Sequence, residues 1–312
     1  MTDKGTSMSQ IRDGLAATSR LLPRFRGKGP LGVILGRPLT DLDSAEDCVV
    51  TIRMRDGSLM RVDIRSQTER WAYWTGEYDQ DVVSRLTTSF RKNWVVFDVG
   101  ANVGFYSIAM AGRLAALHGR LHAFEPVESN FSRLVSCIGL NHLESVVSAH
   151  DVALGDEEGT IGMCMTIHDN ATTGNAVMVK DKVITEDKLT ANSAARITRL
   201  DSFVLEQNIK ACHLIKIDVE GAEVMFLRGG SEFLSKQRPI IYGEFSAHWL
   251  KQFGHSFVDV ADIVKPWDYR FFRQMGHARF AEFRQPEVGI ENVLLCPAGT
   301  PASVLAGLGV QV

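Results

Sequence analysis

The sequence predicts an α/β fold with a doubly wound, mostly parallel sheet and an N-terminal β-hairpin and helical extension. Three observations carry this. From Trp94 onward, short apolar runs alternate with segments of helical period. Strands that read as continuous apolar runs are covered on both faces, as in parallel sheets. The first run passes straight into a glycine-bearing turn, and acidic residues stand at the tips of several runs. Upstream, two alternating segments flank Asp56-Gly57, a hairpin turn.

In chain order, residues 1–30 read as a flexible basic tail. Arg20, Arg24, Arg26 and Lys28 supply the charge, and Gly27-Lys28-Gly29-Pro30 breaks any regular element. Residues 31–92 read as a hairpin and helical cap. Cys48 to Arg55 and Leu59 to Ile64 form the hairpin. Trp71 to about Arg91 is mostly helical, with Val82, Val83, Leu86 and Phe90 on one face. Residues 93–312 form the main domain. Its predicted strands are Trp94 to Val99, Arg120 to Phe124, Val146 to Ala149, His213 to Val219 and Pro239 to Phe245. Helices are expected at Gly104 to Leu117, Glu128 to Leu140 and Ala222 to Leu234. An insertion at 160–199 separates the third and fourth strands, with Ile161 to Ile167 expected to pair with Arg196 to Arg199.

Composition narrows the function classes. In 312 residues, hydrophobic residues are 45% and charged residues 23%, enough apolar content for a sizeable core. The net charge of −3 gives no whole-chain basic field of the kind that binds nucleic acid. No apolar run reaches the ~18 to 20 residues that span a bilayer. The five cysteines are scattered and never form a C-x-x-C pair, which disfavours a disulfide scaffold or a zinc site and fits a reducing cytoplasm.

The strand tips carry the chemistry. Asp98-Val-Gly-Ala-Asn-Val-Gly104 lets the backbone approach a ligand at Gly100 and Gly104. A dinucleotide fingerprint would need glycine at positions 100, 102 and 105, but the chain has Asn102 and Phe105. Asp98 is unfavourable beside a pyrophosphate and favourable beside a cation, so a ligand with an amino group and a positively charged sulfur fits better. A plain strand-to-helix turn is the alternative. Glu125 at the tip of the second strand is placed to accept both hydrogens of a ribose diol, or else complements a helix dipole. After the third strand, Asp151 is positioned to accept from an adenine amino group while Val152 packs on the ring. A loop aspartate without a ligand is the alternative there.

These strings, with Leu214-Ile-Lys-Ile-Asp-Val-Glu-Gly-Ala-Glu223, Ala153-Leu-Gly-Asp156, Leu200-Asp-Ser202 and Gly229-Gly230, closely resemble the FkbM-type methyltransferases over about Trp94 to Phe245. The resemblance implies a Rossmann-like class I enzyme using S-adenosyl-L-methionine. It places Asp98, Gly100, Asn102 and Gly104 along the methionine end, Glu125 on the ribose, and Asp151 with Val152 on the adenine. A fainter match covers Gly76 to Leu86, where Glu77 and Tyr78 either cover the methionine end or serve packing. It further implies O-methylation of a hydroxylated small molecule, a sugar or a polyketide-like natural product. N-methylation, a macromolecular acceptor and a non-catalytic binding module are the alternatives.

An alcohol must lose a proton to be methylated, so a base or a metal is expected. Asp218 ends the fourth strand, Glu220 lies just beyond, and Glu244 ends the fifth. Asp218 is the first choice for base or metal ligand, and at that position it also borders the cofactor. Carboxylates with waters suit magnesium, which leaves the metal question open. His248 and His255 are further candidate bases. Glu223 reads as a helix-start charge, and Lys216 as an ion-pair partner facing away from Ile215 and Ile217. The insertion, with its polar stretch from His168 to Asn175, is expected to shape the acceptor site. Self-association is left open.

Overall fold

The computed structural model describes residues 4–23, 48–168, 171–179, 189–276, 278–284 and 292–311. Within the stretch read as a tail, Lys4–Leu21 is a helix, α1. Arg12 and Ala16 are buried. Tyr73 Oη donates to Asp13 at 2.6 Å, and Ser19 Oγ donates to the Trp74 carbonyl at 2.9 Å. These partners lie far along the chain, so local composition gave no sign of the docking. Arg24, Arg26 and Lys28 lie outside the described residues.

The hairpin forms as expected from β1 (Val49–Arg53) and β2 (Leu59–Asp63), antiparallel with Arg53 opposite Leu59. The predicted single helix is two. α2 (Gln67–Thr75) stops at Gly76, whose left-handed backbone caps it through an N–H to the Ala72 carbonyl. α3 (Gln80–Ser89) then buries Val82, Val83 and Leu86.

The alternating pattern follows with β3 (Val95–Val99), α4 (Phe105–Ala116), β4 (Arg120–Phe124), α5 (Glu128–Leu140) and β5 (Val147–His150). The insertion builds its own antiparallel unit from β7 (Gly159–His168), β8 (Ala171–Val179) and β9 (Leu189–Arg199). A short β6 (Ala153–Gly155) adds to β9 in parallel, giving the order β6-β9-β7-β8. Thr160 does pair with Arg196, but most of β7 is held between β8 and β9. Asp169, Asn170 and the charged segment 180–188 lie outside the described residues.

After α6 (Leu200–Glu206) the chain returns to the main sheet with β10 (Leu214–Ile217), α7 (Glu223–Gly229), α8 (Ser231–Gln237) and β11 (Ile240–Glu244). Helices α9 (Ala247–Gln252) and α10 (Phe257–Val264) lead into β12 (Tyr269–Met275), β13 (Arg279–Phe283) and β14 (Asn292–Pro297), and α11 (Ala302–Gly307) closes the chain. The eight-stranded order is β13-β12-β14-β11-β10-β3-β4-β5. The five strands from β5 to β11 are parallel, and β14, β12 and β13 extend the sheet antiparallel. Strand alternation splits the core. Val96, Leu121, Leu214 and Ile240 pack with Leu86, Leu114 and Leu134, whereas Phe97, Val99, Ile215 and Ile217 pack with Phe203, Phe226 and Leu234. The central pair β3 and β10 sets Lys216 beside Asp98, and β11 sets Tyr242 on its other side. The strand order puts the carboxyl ends of β4, β3, β10 and β11 in one row, where such sheets bind ligands.

Candidate active site

A cavity of about 1210 Å³, counting its mouth, lies along that row. Its wall contains Gly100, Asn102, Glu125, Val152, Asp218, Glu220 and Glu244 from the predicted set. Four other predicted residues are placed elsewhere. Asp98 is fully buried and stands behind the wall, not in it. Gly104 starts α4 as its N-cap, with φ +97. Asp151 and His248 are exposed and outside the wall. His248 sits 3.1 Å from Gln252 on the surface of α9, and His255 is also outside the wall.

The turn after β3 holds the two ends of the cavity together. Gly100 has φ +75, and a Cβ there would meet the Asp218 carbonyl oxygen at 1.9 Å. Only glycine permits that approach of the β3 and β10 ends. Gly100 and Ala101 both donate their N–H to the Phe124 carbonyl at the tip of β4. Asn102 adopts φ +51, and its N–H donates to Glu125 Oε2 at 2.8 Å.

Glu125 is buried. Its Oε1 accepts from the Val127 N–H at 3.0 Å and from Asn130 Nδ2 at 3.5 Å. Burial pushes its carboxyl up to about 7, against the pull of these donors. A carboxylate has about four lone-pair sites and three are used here, so one hydroxyl of a diol still finds an acceptor on Oε2.

Under the turn, Lys216 Nζ donates to the Gly100 carbonyl at 2.9 Å. It lies 3.4 Å from Asp98 Oδ1 and 3.7 Å from Asp218 Oδ2, and 5.2 Å from the centre of the Tyr106 ring. Ser107 Oγ donates to Asp98 Oδ2 at 2.6 Å. Burial opposes the Lys216 charge, but Asp98 and then Asp218 outweigh it and hold the ammonium protonated. One ammonium between two carboxylates leaves a net negative centre next to the cavity, which favours a cationic ligand group. The Asp98 side chain is spent on this pair and on Ser107, which explains its withdrawal from the wall.

Asp218 is the open member, with its side chain 34% exposed. Glu220, at φ +50, and Glu244 share its end of the cavity with Trp249. Glu223 is buried at the start of α7 and accepts from the Gly221 N–H at 3.2 Å; burial pushes its carboxyl up to about 8, so it serves there as a buried acceptor and not as the helix-start charge expected. Among the described residues, no group of three or more His, Cys, Asp or Glu side chains is arranged to hold a metal ion.

Sequence reasoning missed much of the wall. The N-terminal extension gives the unexpected Ser66, Thr68 and Glu69, besides Tyr78, for which a place at the cavity was one of two expectations. Tyr78 stacks on Phe105 with ring centres 4.5 Å apart. The insertion gives Met163 and Met178, which pack in one apolar cluster with Ala153 and Ile197. The contribution of the insertion to the wall is thus apolar, among described side chains, and it stands on the Val152 side. A capping sequence at Ser66 was the one local signal for the first group. Nothing local marks the methionines.

Comparison of the sequence with known proteins gives the family. A sequence model of the Methyltransferase FkbM domain matches residues 98–271. Methyltransferase 1 of Beauveria bassiana is 27% identical over 147 residues, covering 43% of this chain and 57% of that protein. The chain thus spans little more than half of that relative. Hexuronic acid methyltransferase AglP of Haloferax volcanii is 24% identical over 209 residues, covering 67% of this chain and 76% of AglP. Among solved structures, the crystal structure of Methyltransferase FkbM from Methylobacillus flagellatus aligns with a TM-score of 0.41 at 16% identity, over 76% of this chain and 56% of that one.

Proposed function

This chain belongs to the FkbM family of methyltransferases, and from that premise we propose that it moves a methyl group from S-adenosyl-L-methionine to a hydroxyl of a small, uncharged, oxygen-rich molecule. A sugar or a polyketide-like natural product is the class that fits. The observation that carries this reading is one continuous cavity with Glu125 at the tip of β4, Asp218 at the tip of β10 and the Gly100 turn between them.

S-adenosylmethionine supplies, when bound, an activated methyl on a positively charged sulfur. Glu125 accepts one of its ribose hydroxyls through the free site on Oε2. Val152, Met163 and Met178 give the apolar wall that an adenine ring needs. The Asp98–Lys216–Asp218 group keeps the intervening region net negative, which suits the sulfonium and the methionine ammonium. Asp218, at the open end, takes the proton of the acceptor hydroxyl, with Glu220 and Glu244 beside it. Positioning supplies much of the remaining acceleration for a displacement of this kind.

The carboxylates at this end bear on the acceptor. AglP is named for a hexuronic acid, which supports a sugar. Asp218, Glu220 and Glu244 oppose a second carboxylate, so an uncharged sugar fits this chain better. The same charges attract an ammonium, which makes an amine acceptor the second reading. Our reading puts the protein in the cytoplasm, in keeping with five cysteines that are buried and form no disulfide among the described residues. None of the described helices is long and apolar enough to cross a membrane.

The test is methyl transfer from labelled S-adenosylmethionine to matched neutral, uronic and amino sugars. We expect the neutral acceptor to be preferred, and Asp218→Asn to lower kcat about 10²-fold or more. Preference for the amine would favour the second reading, and unchanged turnover by Asp218→Asn would remove the base assignment.

A further inference from the structure

Ser66-Gln67-Thr68-Glu69 has the spacing of a capping box, in which the glutamate turns back to the N-cap N–H. Only half of the box forms. Ser66 Oγ accepts from the Glu69 N–H at 3.3 Å, but the Ser66 N–H donates to the Asp63 carbonyl at 3.0 Å. The Glu69 carboxylate goes elsewhere. Its Oε2 accepts from the Asp63 N–H at 2.7 Å and from Arg133 at 2.6 Å. Its Oε1 is buried without a hydrogen-bond partner, although Glu69 is 2% exposed and belongs to the cavity wall. A buried acceptor with no donor among the described residues is uncommon and calls for one from outside.

A chain of hydrogen bonds ties this residue to the tip of β4. Arg133 bonds both Glu69 Oε2 and, at 2.9 Å, Asn130 Oδ1. Asn130 Nδ2 in turn donates to Glu125 Oε1 at 3.5 Å. Two buried carboxylates, one from the N-terminal extension and one from the sheet, are thus held by one guanidinium and one amide in the same wall. Both Glu125 oxygens already accept backbone N–H groups, whereas Glu69 Oε1 accepts none.

We propose that Glu69 is a second ribose-binding carboxylate, whose Oε1 accepts a hydrogen bond from one hydroxyl of the nucleoside held at Glu125. Helix α2 is then part of the donor site and not only a cap on the fold. The inference rests on the reading that this cavity holds S-adenosylmethionine. The ribose is favoured over the adenine because the network leads to Glu125, whereas Val152, Met163 and Met178 offer the base an apolar surface.

The experiment titrates S-adenosylhomocysteine and its 2′-deoxy and 3′-deoxy analogues into the wild type, Glu69→Gln and Glu69→Asp. In Glu69→Gln the amide oxygen must stay on Arg133 and the Asp63 N–H, which puts an NH2 donor where Oε1 was. The wild type should disfavour at least one deoxy analogue by about tenfold or more, as for a charged hydrogen bond. In both variants that discrimination should shrink to within about threefold. A purely structural role would weaken all three ligands alike and leave the ratio unchanged, which would overturn the proposal. If the wild type bound none of the three, the reading of the cavity itself would fall, and the proposal with it. Should neither variant fold, a crystal structure of the wild type with S-adenosylhomocysteine decides. A ribose hydroxyl within about 3.5 Å of Glu69 Oε1 supports the assignment, and a longer separation refutes it.

Discussion

The two ends of the cavity are built differently. At the Glu125 end the carboxylate is buried, and both of its oxygens are fixed by backbone N–H groups. At the Asp218 end the side chain is one-third exposed, with Glu220 and Glu244 close by. A fixed, dry carboxylate is suited to hold one ligand in one pose. An open one is suited to exchange a proton and to receive acceptors of varied shape. The difference teaches that donor binding and turnover are separable in this molecule, although both stand on the same row of parallel strands.

The strongest way to break the comparison is to disturb the element the two ends share. Gly100→Ala places a methyl where the Asp218 carbonyl oxygen stands, at a backbone angle that L side chains rarely adopt. Cofactor affinity and turnover should fall together, each by about 10²-fold, with a thermal melt lowered by several degrees. Loss of one function alone would mean that the turn does not couple the ends.

A smaller effect sharpens the comparison from the buried side. Burial raises the Glu125 carboxyl to about 7. Its folded value then lies above its unfolded one. Its contribution to stability is present below about pH 4.5 and is lost as pH rises through about 7. Ribose binding wants the ionised acceptor, so affinity for S-adenosylhomocysteine should rise several-fold from pH 6 to pH 8. Glu125→Gln should flatten that profile. A wild-type affinity independent of pH over this range would show that Glu125 is already ionised before the ligand arrives.

The sequence was most legible where chemistry and local structure coincide. The runs ending at Val99, Phe124 and Ile217 announce strands, and Gly100, Glu125 and Asp218 follow from them because a strand tip fixes where its next residue lies. Asp98 was harder. Its burial depends on Lys216, which comes from a strand more than a hundred residues later in the chain. Tyr78 was legible only as one of two readings, and Glu69, Met163 and Met178 were not legible at all as wall residues. They reach the cavity through packing of the extension and the insertion onto the sheet, which leaves no periodic trace in their own segments. The helix α1 was hidden for the same reason, since Tyr73 and Trp74 hold it in place. His248 follows the tip of β11 in sequence, but its helix turns it to solvent, outside the cavity wall.

The central claim is that one end binds and the other reacts. Calorimetric titration of S-adenosylhomocysteine into the wild type, Glu125→Ala and Asp218→Asn tests it most directly. The account predicts one ligand per wild-type chain, at least about tenfold weaker binding in Glu125→Ala, and binding within a few-fold of wild type in Asp218→Asn. Equal loss in both variants, or no binding by the wild type, would contradict it.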